Sequence, residues 1–289
     1  MLSHLKLVQP TSVAEASNAL VDSGEKAKIY AGGAELLLLL RNGLVEAEVL
    51  VDVKKIERLH RVAASDGALR LGACVTHHEL ATNPIIREHA PSLAYAESQL
   101  ANVRVRNQGT LGGNLSFNDP HSDPPAVLLV HDAAVIVGDE NGERRIPLDE
   151  FSVDMYATAL QPGDVLLEIE IPLLPAGLKS AYLRLHRYQR PTLGVAAGAR
   201  MSGGAVADVR LAVACVGPKA ERLTELETKI KGTTLSEAKR IVAAEKKYLR
   251  ELLRPVDDLL GSAEYKLYMT SLMLGDALEQ AAQGNGARH

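Results

Sequence analysis

IYAGGAEL, Ile29 to Leu36, carries an apolar strand into two glycines and directly on into a leucine-rich helix. Upstream, an apolar run from Leu2 to Val8 stops at the Pro-Thr-Ser break of Pro10 to Ser12. A helical pattern follows from Val13 to Val21, with Thr11 or Ser12 as its natural N-cap and Gly24 as its stop. The quoted strand spans Ala27 to Ala31, the helix after the glycines Glu35 to Asn42, and a third strand Leu50 to Val53. This alternation predicts a βαβαβ unit over about the first 55 residues. Paired glycines at a strand-to-helix turn aim backbone N–H groups at an anion beside the helix N-terminus, and they also serve as a plain turn. The stretch is neither G-x-G-x-x-G nor a Walker loop, whose lysine it lacks.

From Leu59 the texture changes to short strands such as Ala68 to Ala73, separated by the Asp66-Gly67 and Asn141-Gly142 turn signals of antiparallel hairpins. A helical stretch, Pro91 to Leu100, interrupts them, and Val165 to Ile171 alternates apolar with acidic residues. Leu173 to Lys179, with a proline and a glycine, reads as a linker. Beyond it come three strands, Tyr182 to Tyr188, Val195 to Met201 and Val206 to Val216, then a long helix from Leu235 to Leu253 and a last helix capped by Ser262. The expected class is α+β, divided at about residue 175.

A chain of 289 residues suits about two packed units of roughly 150 residues each. With 46% hydrophobic and 24% charged residues it is neither fibrous nor disordered. A net charge of -4 and only 3% aromatic residues argue against nucleic acid, which calls for basic stripes and stacking platforms. Cys74 and Cys215, far apart in strand-like apolar surroundings, read as buried thiols, too few for a zinc site or an iron–sulfur cluster held by this chain. No stretch approaches the roughly 18 apolar residues of a membrane span, and the opening residues lack a signal-peptide core, so a cytoplasmic location is expected.

The richest segment is Arg104 to Leu129, RVRNQGTLGGNLSFNDPHSDPPAVLL. Gly109, Gly112 and Gly113 weaken any strand there and suggest close backbone approach, to a ligand or within a glycine-rich hairpin. Asp123 either accepts hydroxyls of a sugar-like chain or caps the helix that Pro124 and Pro125 begin. Arg104 and Arg106 flank the glycines and are placed to balance phosphate charge or to be solvated. His77 and His78 are adjacent, so on a strand they diverge and cannot share a metal. His121 and Asp123 have dyad-like spacing without an accompanying nucleophile elbow. No metal site and no catalytic side chain is expected.

These residues resemble the FAD-binding medium subunits of molybdenum hydroxylases, such as the carbon monoxide dehydrogenase medium chain and the flavin domain of xanthine dehydrogenase. The likeness rests on AGGAELL at Ala31, TLGGN at Thr110 with Arg106 and Asn107 before it, SDPP at Ser122, LQPGDVLLEIEIP at Leu160 and AEYKLYMTSLML at Ala263, all in family order. It implies a two-subdomain FAD-binding domain over residues 1–175 (about 1–55 and 56–175), followed over 176–289 by a three-stranded antiparallel sheet with a helical bundle. It implies FAD contacts from Ile29, Tyr30, Ala31, Gly32, Gly33, Ala34, Glu35 and Leu36, and from Thr110, Leu111, Gly112, Gly113 and Asn114, the two turns wrapping the pyrophosphate. It also implies that Thr76, His77 and Leu100 fall at flavin-proximal positions, that Asp123 holds the sugar-like chain, that Leu166 lines the ring region and that Arg184 approaches it. Where the carbon monoxide enzymes shield the flavin with a tyrosine, this chain offers Thr192, with Tyr188 nearby. The resemblance further implies a large molybdopterin-binding partner and a small iron–sulfur partner in a dimer of heterotrimers. It implies electrons passing from the partners' molybdenum cofactor and iron–sulfur clusters through FAD to an external acceptor. A stand-alone flavin oxidoreductase and a non-redox nucleotide-binding scaffold would use the same loops.

Overall fold

Strand β1 (Lys6–Val8) stops before Pro10, and Ser12 opens helix α1 (Val13–Ser23) by accepting the Glu15 N–H at 3.2 Å. Glu15 answers by accepting the Thr11 N–H at 2.8 Å, so two otherwise unpaired groups at the helix start are satisfied. Gly24, at φ +54°, ends the helix. Strand β2 (Ala27–Tyr30), helix α2 (Leu36–Arg41) and strand β3 (Val49–Asp52) complete a parallel sheet of order β1-β3-β2. The βαβαβ unit is therefore present. The computed structural model describes residues 5–186 and 190–284.

A second, antiparallel sheet holds β4 (Val62–Ser65), β5 (Ala68–Gly72), β6 (Ala134–Gly138), β7 (Glu143–Pro147) and β10 (Val165–Pro172), in the order β4-β5-β10-β6-β7. Asp66 and Gly67 both adopt positive φ, the primed turn that matches strand twist. Central β10 buries Val165, Leu167, Ile169 and Ile171, while its Glu168 and Glu170 pair with Arg70 at 3.0 and 2.7 Å. Between β5 and β6 run six helices: α3 (His77–Thr82), α4 (Pro84–His89), α5 (Pro91–Gln99), α6 (Val103–Gln108), α7 (Leu111–Phe117) and α8 (Pro124–Val130). After β7, α9 (Leu148–Phe151) leads to the small hairpin β8 (Ser152–Asp154) and β9 (Ala157–Thr158).

Strands β11 (Lys179–His186), β12 (Pro191–Ser202) and β13 (Ala205–Ala214) form the expected antiparallel sheet, which a two-residue strand β14 (Glu221–Arg222) extends to four. Its two faces serve different cores, as the period of two requires. Ala181, Val195, Ala197, Leu211 and Val213 face the helices α10 (Thr224–Ile230), α11 (Leu235–Ala244), α12 (Lys246–Leu253) and α13 (Ala263–Gln283). Tyr182, Ala196, Ala212 and Ala214 join the core of the preceding sheet. Small residues on that face admit α8. Arg222 and Arg210 reach from the sheet to donate to the C-terminal carbonyls of α8, Leu129 O at 2.7 Å and Val130 O at 2.9 Å.

Several local expectations change. The helix read as Leu235 to Leu253 breaks at Glu245, and the break lets Leu249 and Leu253 reach the core that Ala238 and Val242 already occupy. Cys74 lies in a turn after β5 and Cys215 just past β13, and both are buried free thiols. The second glycine segment is helical. Thr110 caps α7 by accepting the Gly113 N–H at 3.1 Å, and tertiary bonds from Leu111 N to Val75 O and Gly112 N to Ala73 O outweigh poor glycine helix propensity. His77 and His78 open a helix rather than extend a strand: His77 is buried and His78 exposed.

Candidate functional site

A cavity of about 680 Å³ opens where the parallel unit, the helical insertion and β11 meet, a size within the ordinary range for small-molecule sites. Its first wall is the glycine turn after β2. Ile29, Ala31, Gly32, Gly33, Ala34, Glu35 and Leu36 all line it. Gly33 takes φ +74°, and the regular backbone bonds begin with Leu37 N–H donating to Gly33 O at 3.1 Å. Tyr30 lies outside this wall, and the Lys54 ammonium stands over its ring, 3.5 Å from the centroid.

The second wall is one face of α7. Thr110, Gly113, Asn114 and Phe117 recur at i, i+3, i+4 and i+7 and all meet the cavity. The glycines here have separate duties. A Cβ on Gly32 would stand 2.0 Å from Gln108 O, so the two glycine turns touch each other. A Cβ on Gly112 would meet Ala73 at 2.5 Å, and one on Gly109 would meet the His77 ring at 2.9 Å. Gly113 alone among these looks outward, with nothing but Thr110 Oγ1 at 3.0 Å. Leu111 is fully buried behind the face, and Thr76 is spent on a capping box with Glu79.

The remaining walls come from further along the chain. A bulge between Leu166 and Glu168 separates β10 from strict register with β6, and Leu166 joins the cavity lining while Leu167 stays in the core. Leu100 and His77 line the side below α5. His77 Nδ1 and Glu97 Oε2 are 2.7 Å apart with both residues buried, and Glu97 Oε1 has no hydrogen-bond partner among the described residues.

Asp123 lies 2% exposed at the cavity, accepting from the Tyr182 hydroxyl, with Arg184 Nε 3.1 Å from its Oδ1. Burial pushes its carboxyl up to about 6, against the pull of Arg184 and Tyr182. Arg184 also donates through Nη1 to Gln99 O at 2.5 Å.

At another edge of the cavity Arg190 donates to Asp119 at 2.7 Å. His121 lies between Asp119 and Asp258, and Asp258 in turn pairs with the buried Lys266 of α13. The Asp119 carboxylate, with Asp258 adding to it, raises the His121 pKa.

Phe117 and Tyr156 form an aromatic pair at the cavity, centroids 5.2 Å apart, which the sequence reading did not single out. Asn118 fixes that pairing. Its Nδ2 donates to Asp154 O at 2.7 Å and Ala157 O at 2.9 Å, and its carbonyl accepts the Tyr156 N–H. Spacing from Thr110 could have found Phe117 once α7 was recognised, whereas nothing local marks Tyr156, Glu97 or Tyr182. Thr192 is buried and bonds weakly to Leu260 O at 3.4 Å, and Tyr188 lies outside the described residues. Among the described residues no group of three or more His, Cys, Asp or Glu side chains could hold a metal, and no helix is long and apolar enough to cross a membrane.

Residues 3–174 match the family described as the FAD binding domain in molybdopterin dehydrogenase, and residues 182–281 match the CO dehydrogenase flavoprotein C-terminal domain. The chain belongs to this FAD-binding subunit family. It is similar to the carbon monoxide dehydrogenase medium chain of Hydrogenophaga pseudoflava, 32% identical over 94% of this chain and 95% of that one. It is also similar to the 6-hydroxypseudooxynicotine dehydrogenase complex subunit alpha of Paenarthrobacter nicotinovorans, 33% identical over 93% and 92%. The solved carbon monoxide dehydrogenase from Hydrogenophaga pseudoflava that lacks the Mo-pyranopterin moiety superposes with a TM-score of 0.92, covering 98% of this chain and 99% of that one at 32% identity. This FAD-binding subunit thus matches dehydrogenase subunits over more than nine-tenths of its length.

The residues present suit the dinucleotide. Gly113 presents bare backbone to the cavity with only Thr110 Oγ1 near, the turn from Ala31 to Leu36 runs along another wall, and the buried Asp123 carboxylate lies at the same cavity as an acceptor for hydroxyls.

Proposed function

We propose that this subunit holds FAD in the cavity between its glycine turns and serves as the outlet for electrons in a molybdenum-containing dehydrogenase. In this reading Ala31 to Leu36 and the Thr110–Asn114 face take the pyrophosphate. Asp123 accepts hydroxyls of the sugar-like chain. Leu166, Arg184 and the Phe117–Tyr156 pair bound the aromatic ends. Bound FAD supplies a carrier that takes up electrons singly and releases them in pairs. The chain's own contribution is to bind, orient and shelter it, and no side chain here is asked to act as acid, base or nucleophile.

The electrons arise at a molybdenum centre on a large partner subunit, reach this chain through iron–sulfur clusters of a small one, and leave to an external acceptor. The assembly is a cytoplasmic dimer of heterotrimers. One observation carries the reading: similarity over more than nine-tenths of its length joins this chain to subunits of enzymes named for unlike substrates, carbon monoxide and 6-hydroxypseudooxynicotine. A subunit shared across such substrates does common work, which is carrying electrons. With only Cys74 and Cys215, this chain leaves the clusters to a partner.

The test is to purify the full chain with its co-expressed neighbours and release the chromophore with acid. FAD at one per chain, in a complex with a molybdenum-containing and an iron–sulfur subunit, is expected. A chain that purifies alone and reduces its own flavin with a substrate would replace this reading with that of a stand-alone oxidoreductase.

A further inference from the structure

Asp123 stands at the N-cap position of α8, where an aspartate normally accepts N–H groups of the first turn, yet its side chain makes no capping bond. The reason lies in the next two residues. Pro124 and Pro125 carry no N–H, and the Asp123 backbone is already helical at φ -74°, ψ -46° rather than extended. The carboxylate turns instead to β11, where Tyr182 and Arg184, two residues apart, share one face. Gly194 makes room for this on the neighbouring strand: a Cβ there would stand 2.4 Å from the Tyr182 hydroxyl oxygen.

We infer that Tyr182 is a positioning residue of the flavin site: without touching the cofactor, it holds the Asp123 carboxylate oriented and ionised, so that the C-terminal sheet sets how firmly the first domain binds FAD. This rests on reading the cavity as the FAD site. Tyr182 is fully buried and does not line the cavity, whereas Asp123 does. The groups facing Asp123 are Tyr182 and Arg184 on β11, Glu97 on α5 with His77 of α3 at its side, and the Cys215 thiol beyond β13. Burial and Glu97 favour the protonated acid, while Arg184 and the Tyr182 hydroxyl favour the carboxylate. Ionised, Asp123 is an acceptor only, suited to the hydroxyl donors of a polyol; protonated, it gives up part of that capacity.

FAD affinity should therefore fall as pH drops through the Asp123 titration, and removing the tyrosine hydroxyl should move that fall to higher pH. A hydrogen bond to an ionised acceptor corresponds to about one pH unit. For Tyr182→Phe, measured as FAD dissociation from the full chain in its complex, binding is expected to be about fivefold weaker than wild type near pH 6, with the two converging by about pH 8.5. Gly194→Ala, which crowds the hydroxyl away without removing it, should shift the profile the same way, and adding Asp123→Asn to Tyr182→Phe should flatten it. Profiles of Tyr182→Phe and Gly194→Ala that superimpose on wild type, or a uniform loss at all pH values, would overturn the inference. A wild-type complex that binds no FAD would overturn the reading beneath it and this inference with it.

Discussion

Gly32 and Gln108 lie so close that a Cβ on the glycine would stand 2.0 Å from the glutamine carbonyl oxygen and 3.1 Å from Gly109 Cα. The first glycine turn is thus a packing contact with the segment that leads into α7, as well as a wall of the cavity. Gly113 differs, because its missing side chain faces the cavity and only Thr110 Oγ1 lies near. The two glycines should therefore fail differently. Gly32→Ala forces backbone apart and should lower the melting temperature along with FAD content. Gly113→Val should leave the melting temperature of the apoprotein within a few degrees of wild type while FAD content drops severely. Calorimetry beside acid-released flavin separates them, and full FAD in Gly113→Val would remove α7 from the site.

His77 and Glu97 form a buried pair whose halves depend on each other. Removing one partner strands a polar group away from water, which costs about 1–3 kcal/mol, whereas replacing both with apolar residues of similar volume is often close to neutral. Glu97→Gln, which keeps an acceptor for the ring, should cost less than His77→Ala. The double variant His77→Leu/Glu97→Leu should recover stability lost in His77→Leu alone. Urea midpoints of wild type, His77→Leu, Glu97→Leu and the double variant give the coupling, and strictly additive losses would mean the pair does not act as a unit.

Burial pushes the Cys74 thiol up to about 12 and the Cys215 thiol well above its ordinary value. Since the thiolate is the nucleophile, neither should react with an aromatic disulfide reagent near pH 8 while the chain is folded. Unfolding in guanidinium should release two reactive thiols per chain, matching the two cysteines of the sequence. Rapid labelling of the native chain at Cys74 would show that the cavity it lines opens to solvent far more than this packing allows.

The opening βαβαβ unit was legible because its signals are local: Ser12 caps, Gly24 stops, and apolar runs alternate with helical spacing. The segment around Gly112 was not, because glycines argue against a helix, and the bonds that stabilise α7 come from Ala73 and Val75, a full 35 or more residues upstream. Residues such as Asp123 could be named as candidates from their setting among prolines. Their partners could not, since Tyr182 reaches Asp123 from a strand 59 residues later, and Tyr156 reaches Phe117 through a loop that Asn118 ties down. Local chemistry marks which side chains are unusual; which of them meet is decided by packing.

The chain from Asp119 through His121 and Asp258 to Lys266 links the cavity edge to the C-terminal helix, and its strength should depend on pH from both sides. His121 is raised above its ordinary 6.5 by Asp119 and then Asp258, so its contribution is full below the unfolded value and lost as pH climbs through the higher folded one. Asp258 behaves oppositely. Burial pushes its carboxyl up, but hydrogen bonds from Lys266 and His121 bring it down to about 2, so its contribution is full above the unfolded 3.8 and lost as pH falls toward that lower value. The network is therefore complete only in the window between those two unfolded values. His121→Gln keeps a polar side chain without the charge and should cost about 1 kcal/mol inside the window, the gap to wild type shrinking as pH rises past neutrality. Chemical denaturation of wild type and variant across pH measures this gap. A constant difference from mildly acidic to alkaline pH would show that folding does not shift the His121 titration and that its charge adds nothing to the network.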